Sequence, residues 1–181
     1  MFKRIVIIIG LIGLIFIFGF WVENQIEKLD FKNINEKILI TPTPTIMVGL
    51  REKARVAKVI DGDTIELSDK RKVRYIGINS FEMNDKRIET RCLAQNATEA
   101  NKKLVENKDV EMEKDISETD KYGRLLRYVW IDGLMVNKEL VKNGSAEVST
   151  FPPDIKYLEE LRSEQIKAKL NNLGIWGNIC L

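Results

Sequence analysis

With 181 residues, 44% of them hydrophobic and 31% charged, the chain has a globular composition and room for one domain plus extensions. It has no histidine and two cysteines, which excludes Ser-His-Asp and Cys-His triads, HExxH zinc centres and a four-cysteine zinc cage. Catalysis must run on carboxylates, arginine, lysine, tyrosine and a hard cation held through oxygen. The net charge of +2 excludes a globally basic surface and leaves room only for a local basic patch.

At the N-terminus, Lys3 and Arg4 precede Ile5–Val22, a run without charge that Trp21 closes and Glu23 ends. As a helix it spans roughly 27 Å, close to the hydrocarbon thickness of a bilayer. Basic residues on its N-terminal side place that end in the cytoplasm and the remainder outside. Residues 1–22 are therefore expected to anchor the chain in the cytoplasmic membrane, with everything after them extracytoplasmic. A cleaved signal peptide, giving a secreted protein, is the competing reading; the run is long for one and lacks an A-x-A-like site. Residues 23–53 read as a linker, stiffened by Thr41-Pro-Thr-Pro-Thr45.

Residues 54–181 read as a folded domain. Alternation from Ala54 to Ile60 predicts a strand that stops at Asp61-Gly62, followed by strands over Thr64–Leu67 and Lys72–Ile78. Leu93–Asn107 has helical spacing, with Ala94, Ala97, Ala100, Leu104 and Val105 on one face. Val110–Lys114 and Leu125–Ile131 follow as strands, then helices over Met135–Asn143 and Ile155–Leu170. These elements make a small α+β barrel domain. An exported domain meets an oxidising compartment, where Cys92, before the first helix, and Cys180, after Trp176, are expected to pair and staple the chain end to the barrel.

Three polar clusters interrupt this pattern. Asp61-Gly-Asp63-Thr64 sets two carboxylates around a glycine at a strand end, where they can offer oxygen to a cation. Arg74-Tyr-Ile-Gly-Ile-Asn79-Ser80-Phe81-Glu82 runs from a strand into a loop, and Thr119-Asp-Lys121-Tyr122-Gly-Arg124 is a compact turn. Taken singly, each is an ordinary turn or strand end. Lys70-Arg-Lys72 and Lys86-Arg87 with Arg91 are candidate strips for a polyanion backbone, although such runs are more often solvated turns. Trp176 reads as a plug for the C-terminal helix. Asn96-Ala-Thr98 matches a glycosylation acceptor but falls inside a predicted helix.

In this order the three clusters resemble the staphylococcal nuclease (thermonuclease) family, over about Ala54–Trp176. Met135-Val-Asn-Lys-Glu-Leu-Val-Lys-Asn-Gly144 and Leu173-Gly-Ile-Trp176 match as well. The resemblance implies a five-stranded OB-type β-barrel with three helices. It also implies a monomeric, calcium-dependent endonuclease that hydrolyses DNA and RNA to 3′-phosphate products. By the same resemblance Asp63, Asn79 and the Ser80 carbonyl are calcium ligands, with Asp61 beside them. Glu82 is the general base, Arg74 and Arg124 grip the scissile phosphate, and Lys121 and Tyr122 hold a terminal phosphate. These roles suit in-line phosphodiester hydrolysis, which needs a base for the attacking water and fixed positive charge where negative charge develops.

The chain departs from the family in three places. Asn79 stands where aspartate is usual and removes a negative charge from the cation site. Phe81 replaces a proline, and Ser149-Thr-Phe151-Pro-Pro153 lacks the tyrosines that cover the nucleotide base, leaving Phe151 as a stacking face or a packing residue. A non-catalytic nucleic-acid-binding OB module with a weakened metal site is therefore the alternative function.

Overall fold

Strand β1 (Glu52–Val59) takes in the last two residues of the expected linker and serves two neighbours at once. Its first half pairs antiparallel with β5 (Asp109–Glu113) and its second half with β2 (Thr64–Leu67), with a bulge between Val56 and Lys58 at the changeover. A bulge bends a strand and increases its twist, which lets one strand join two sides of a barrel. The computed structural model describes residues 51–180. The expected membrane anchor and nearly all of the linker lie outside the described residues. Among those residues no helix is long and apolar enough to cross a membrane.

Strand β2 turns through Ser68–Arg71 into β3 (Lys72–Tyr75), and β5 pairs with β6 (Leu125–Ile131). The barrel closes because β3 also pairs with β6, in parallel, through Val73–Leu125, Arg74–Leu126 and Tyr75–Arg127. Five strands thus form a closed β-barrel, as the resemblance implies. Val56, Ile65, Val73, Val105 and Val129 are fully buried in its core. Each such side chain contributes about 1.5–3 kcal/mol of burial free energy.

The expected single strand over Lys72–Ile78 is broken. It ends at Tyr75, and a separate two-residue strand, β4 (Ile78–Asn79), pairs antiparallel with β8 (Glu147–Val148), with Asn79 opposite Glu147. The break falls at Gly77, whose φ of +82° favours glycine and whose missing β-carbon leaves room for Leu161. β7 (Leu134–Met135) hairpins back onto β6 through Asp132-Gly133.

Helix α1 (Ile88–Val105) begins five residues before Leu93, so Cys92 lies within the helix instead of preceding it. Ile88, Glu89 and Arg91 are exposed, and no side chain caps the N-terminus, so the opening turn carries neither an apolar stripe nor a capping signal. Helix α2 (Val136–Lys142) stops before Gly144, and α3 (Leu158–Leu170) starts after Ile155. A disulfide joins Cys92 to Cys180 and ties the chain end to α1.

Candidate active site

The loop between β1 and β2 carries Asp61 and Asp63. Asp61 accepts a hydrogen bond from the Asp63 N–H (3.0 Å), which curls the backbone so that the Asp63 side chain turns inward. Gly62 is buried between helix α1 and Ser80. The Asp61 carbonyl accepts a hydrogen bond from the fully buried Asn101 Nδ2 (3.0 Å), and the Asn101 Oδ1 accepts one from the Tyr75 hydroxyl (3.0 Å). Helix and strand together therefore hold the loop in place.

Asp63 is 5% exposed. Its Oδ2 accepts the Ser80 N–H (2.6 Å), and its Oδ1 takes Thr64 Oγ1–H (3.1 Å) and pairs with Arg74 Nε (3.1 Å). Burial pushes the Asp63 carboxyl up to about 6, against the pull of Arg74 and with a further push from Asp61. Such a carboxylate favours additional positive charge at its oxygens.

Arg74 links the two expected ligands. Its Nη2 donates to Asn79 Oδ1 (3.1 Å) while its Nε meets Asp63, and its Nη1 donates to the carbonyls of Tyr75 (2.6 Å) and Ile78 (2.8 Å). The side-chain oxygens of Asp63 and Asn79 thus converge on one guanidinium, although one comes from the β1–β2 loop and the other from β4. An all-oxygen set of carboxylate, amide and neighbouring backbone fits a hard cation such as calcium.

Arg74 and Arg124 line the same cavity, of about 480 Å³, with Tyr122, Lys121, Phe151 and Asp154. Arg124 is held by Asp120, whose Oδ2 accepts from Nε (2.7 Å) and pairs with Nη2 (2.7 Å). The Asp120 Oδ1 accepts the N–H groups of Tyr122 (2.9 Å) and Arg124 (3.0 Å), which shapes the turn around Gly123. Burial pushes the Asp120 carboxyl up, but the hydrogen bonds from Arg124 and Tyr122 outweigh it and hold the group below the usual carboxylate range. The Tyr122 ring is exposed, with Lys121 Nζ 5.0 Å and Arg124 Cζ 5.6 Å from its centroid.

Glu82 is exposed on the loop after β4, and the structure gives its carboxylate no hydrogen bond among the described residues. Phe151 is 77% exposed at the cavity and is therefore not a packing residue. Four of the six residues in the expected polyanion strips are committed locally, Lys72 and Lys86 having no side-chain partner among the described residues. Lys70 pairs with Glu66, Arg71 with Glu52 and Asp69, and Arg87 with Asp85, while Arg91 donates to the Asp85 and Lys86 carbonyls. Lys169 lies over the partly buried Trp176 ring, 4.3 Å from its centroid.

Sequence reasoning passed over Asp120, Asn101 and Asp154. Asp154 is buried and accepts the N–H groups of Ile116 (3.0 Å) and Ser117 (2.8 Å). The available signal for Asp120 was its place at the head of a turn containing glycine, where aspartate bonds its own backbone two residues on. Asn101 left no such signal, since Thr90 and Thr98 share its face of α1 and a polar residue there reads as solvated.

A family model described as "Staphylococcal nuclease homologue" matches residues 72–178. The chain is 36% identical over 124 residues to "Endonuclease YncB" of Bacillus subtilis (strain 168), covering 66% of this chain and 59% of that protein. It is 34% identical over 127 residues to the "Thermonuclease" of Staphylococcus hyicus, covering 68% of this chain and 75% of the relative. It is 36% identical over 129 residues to the "Thermonuclease" of Staphylococcus intermedius, covering 69% and 76%.

Proposed function

This chain belongs to the family of staphylococcal nuclease homologues, and from that premise we propose that it is a calcium-dependent endonuclease hydrolysing DNA and RNA to 3′-phosphate products. The observation that carries the reading is Arg74, which bridges Asp63 to Asn79 and shares a cavity with Arg124. Cation ligands and phosphate-binding arginines therefore meet at one place.

Asp63, Asn79 and the Ser80 carbonyl hold the ion, with Asp61 beside them. Calcium, when bound, supplies positive charge that neutralises the phosphate. Arg74 and Arg124 pair with phosphate oxygens through guanidinium groups that stay charged throughout. Glu82, exposed on the loop after β4 and without a hydrogen bond to its carboxylate among the described residues, takes the proton of the attacking water. Lys121 and Tyr122 hold a neighbouring phosphate. Retention of Arg74, Glu82 and Arg124 together favours catalysis over a binding-only OB module. The chain is further proposed to act as a monomer outside the cytoplasmic membrane, anchored by residues 1–22 or secreted after their removal. The Cys92–Cys180 disulfide accords with an oxidising compartment.

The test is digestion of plasmid, single-stranded DNA and RNA by purified full-length protein in mild detergent, with calcium and with excess chelator, followed by end-group analysis. Cleavage to 3′-phosphate ends with calcium, lost in chelator and in Glu82→Gln, is expected. Undiminished cleavage in chelator would overturn the calcium mechanism, and absence of cleavage under every divalent cation would favour the binding module.

A further inference from the structure

Asn79 leaves the proposed cation site one carboxylate short, and it stands in the short β4–β8 pair. Asn79 lies directly opposite Glu147 across this antiparallel pair. Residues directly opposite one another project from the same face of the sheet with β-carbons about 4.5–5.5 Å apart. Burial identifies the face: Ile78 is buried and Val148 half-buried, while Asn79 and Glu147 are both exposed. The structure gives the Glu147 carboxylate no hydrogen bond and no ion pair among the described residues.

We propose that Glu147 supplies, from across the β4–β8 pair, the carboxylate charge that Asn79 withholds from the cation at Asp63. The inference rests on the reading of Asp63 and Asn79 as a cation site and adds a residue to it. A charge count explains the need. Asp63 is paired with the Arg74 guanidinium, and Asn79 brings dipole but no charge. Asp61 spends Oδ1 on the Asp63 N–H. Calcium affinity in oxygen sites follows the number of charged ligands, so an unpaired carboxylate facing Asn79 restores what the amide removes. β8 is held firmly enough to present it: the Val148 N–H donates to Gln165 Oε1 (2.6 Å) on α3, and the Ser149 N–H donates to the Gly77 carbonyl (2.9 Å). Glu147 is therefore a positioning charge, opposite a ligand and on a braced strand.

Calcium binding without nucleic acid tests this, read as heat of binding and as the calcium-dependent rise in melting temperature of the full-length protein in detergent. Glu147→Gln should weaken calcium binding roughly five- to tenfold, the effect of one charge acting on a divalent ion at this range. Its melting temperature in chelator should be unchanged, since the side chain is exposed. Asn79→Asp combined with Glu147→Gln moves the charge across the pair and should return affinity to near wild type. Asp63→Asn serves as the reference and should abolish binding. If Asp63→Asn loses calcium but Glu147→Gln binds as tightly as wild type, the role of Glu147 is overturned and the cation site stands. If Asp63→Asn binds like wild type, the site reading itself fails and takes this inference with it. Failure of the double variant to recover affinity would overturn compensation.

Discussion

A β-carbon on Gly62 would sit 2.6 Å from the β-carbon of Ala97. The loop bearing Asp61 and Asp63 is thus pressed directly against helix α1, and the same added atom would meet the Ser80 β-carbon, also at 2.6 Å. Neither neighbour is the far end of a flexible side chain. Gly62→Ala should therefore push Ser80 away from Asp63, cost about 1–3 kcal/mol of stability as overpacking does, and weaken calcium binding. Thermal melts with and without calcium check it. A variant with unchanged melting temperature and affinity would show that the loop yields.

Asp120 should matter to turnover through the arginine it holds, though less than the arginine itself. Asp120→Ala removes the acceptor for two turn N–H groups and the partner of Arg124, so kcat/KM should fall roughly 10- to 100-fold through misplacement alone. Asp120→Asn retains an acceptor for the turn and should be milder. Arg124→Ala should lose about 10²–10³ in turnover, as for removal of a transition-state donor. Steady-state cleavage of a defined oligonucleotide ranks the three, and wild-type turnover in Asp120→Ala would refute the assignment.

Glu113 sets part of the acid limit of stability. Burial pushes its carboxyl up, but hydrogen bonds from Lys156 and Tyr157 and the charge of Arg51 outweigh this and hold it below the usual range. A depressed folded value contributes stability that is fully present above the unfolded value of about 4.3 and is lost as pH falls through the folded value. Glu113→Gln should lower the melting temperature at neutral pH and flatten its decline in acid. Parallel melting curves for the two proteins from neutral pH into acid would contradict this.

Reducing the Cys92–Cys180 disulfide, which spans 88 residues, should cost roughly 4–5 kcal/mol by loop-closure entropy, an upper-end figure. Melting temperature with and without reductant measures it, with Cys92→Ser/Cys180→Ser as the control that reductant must not affect.

Most of the barrel is legible in sequence because its strands alternate: Val73 and Tyr75 point inward while Lys72 and Arg74 do not. The loop bearing Asp61 and Asp63 is legible because aspartate and glycine mark where β1 must stop. The β4–β8 pair is not, since two residues per strand carry no period and their partnership is set by Gly77 and by packing on α3. The parallel contact of β3 with β6 also leaves no local trace, because it depends on how the other four strand pairs curl. Asn101 is concealed by type. A polar side chain on a helix reads as solvated until the backbone carbonyl it satisfies is known.

That parallel contact also decides how two distant arginines come together. Arg74 stands opposite Leu126 in the β3–β6 register, and Arg124 immediately precedes β6, so a single strand pairing brings the two guanidinium groups to one cavity. During synthesis the segment from Asp61 to Arg74 emerges well before its partner. A nascent chain therefore carries Asp61, Asp63 and Arg74 before it carries Arg124. The two arginines reach one cavity only once β6 has paired with β3.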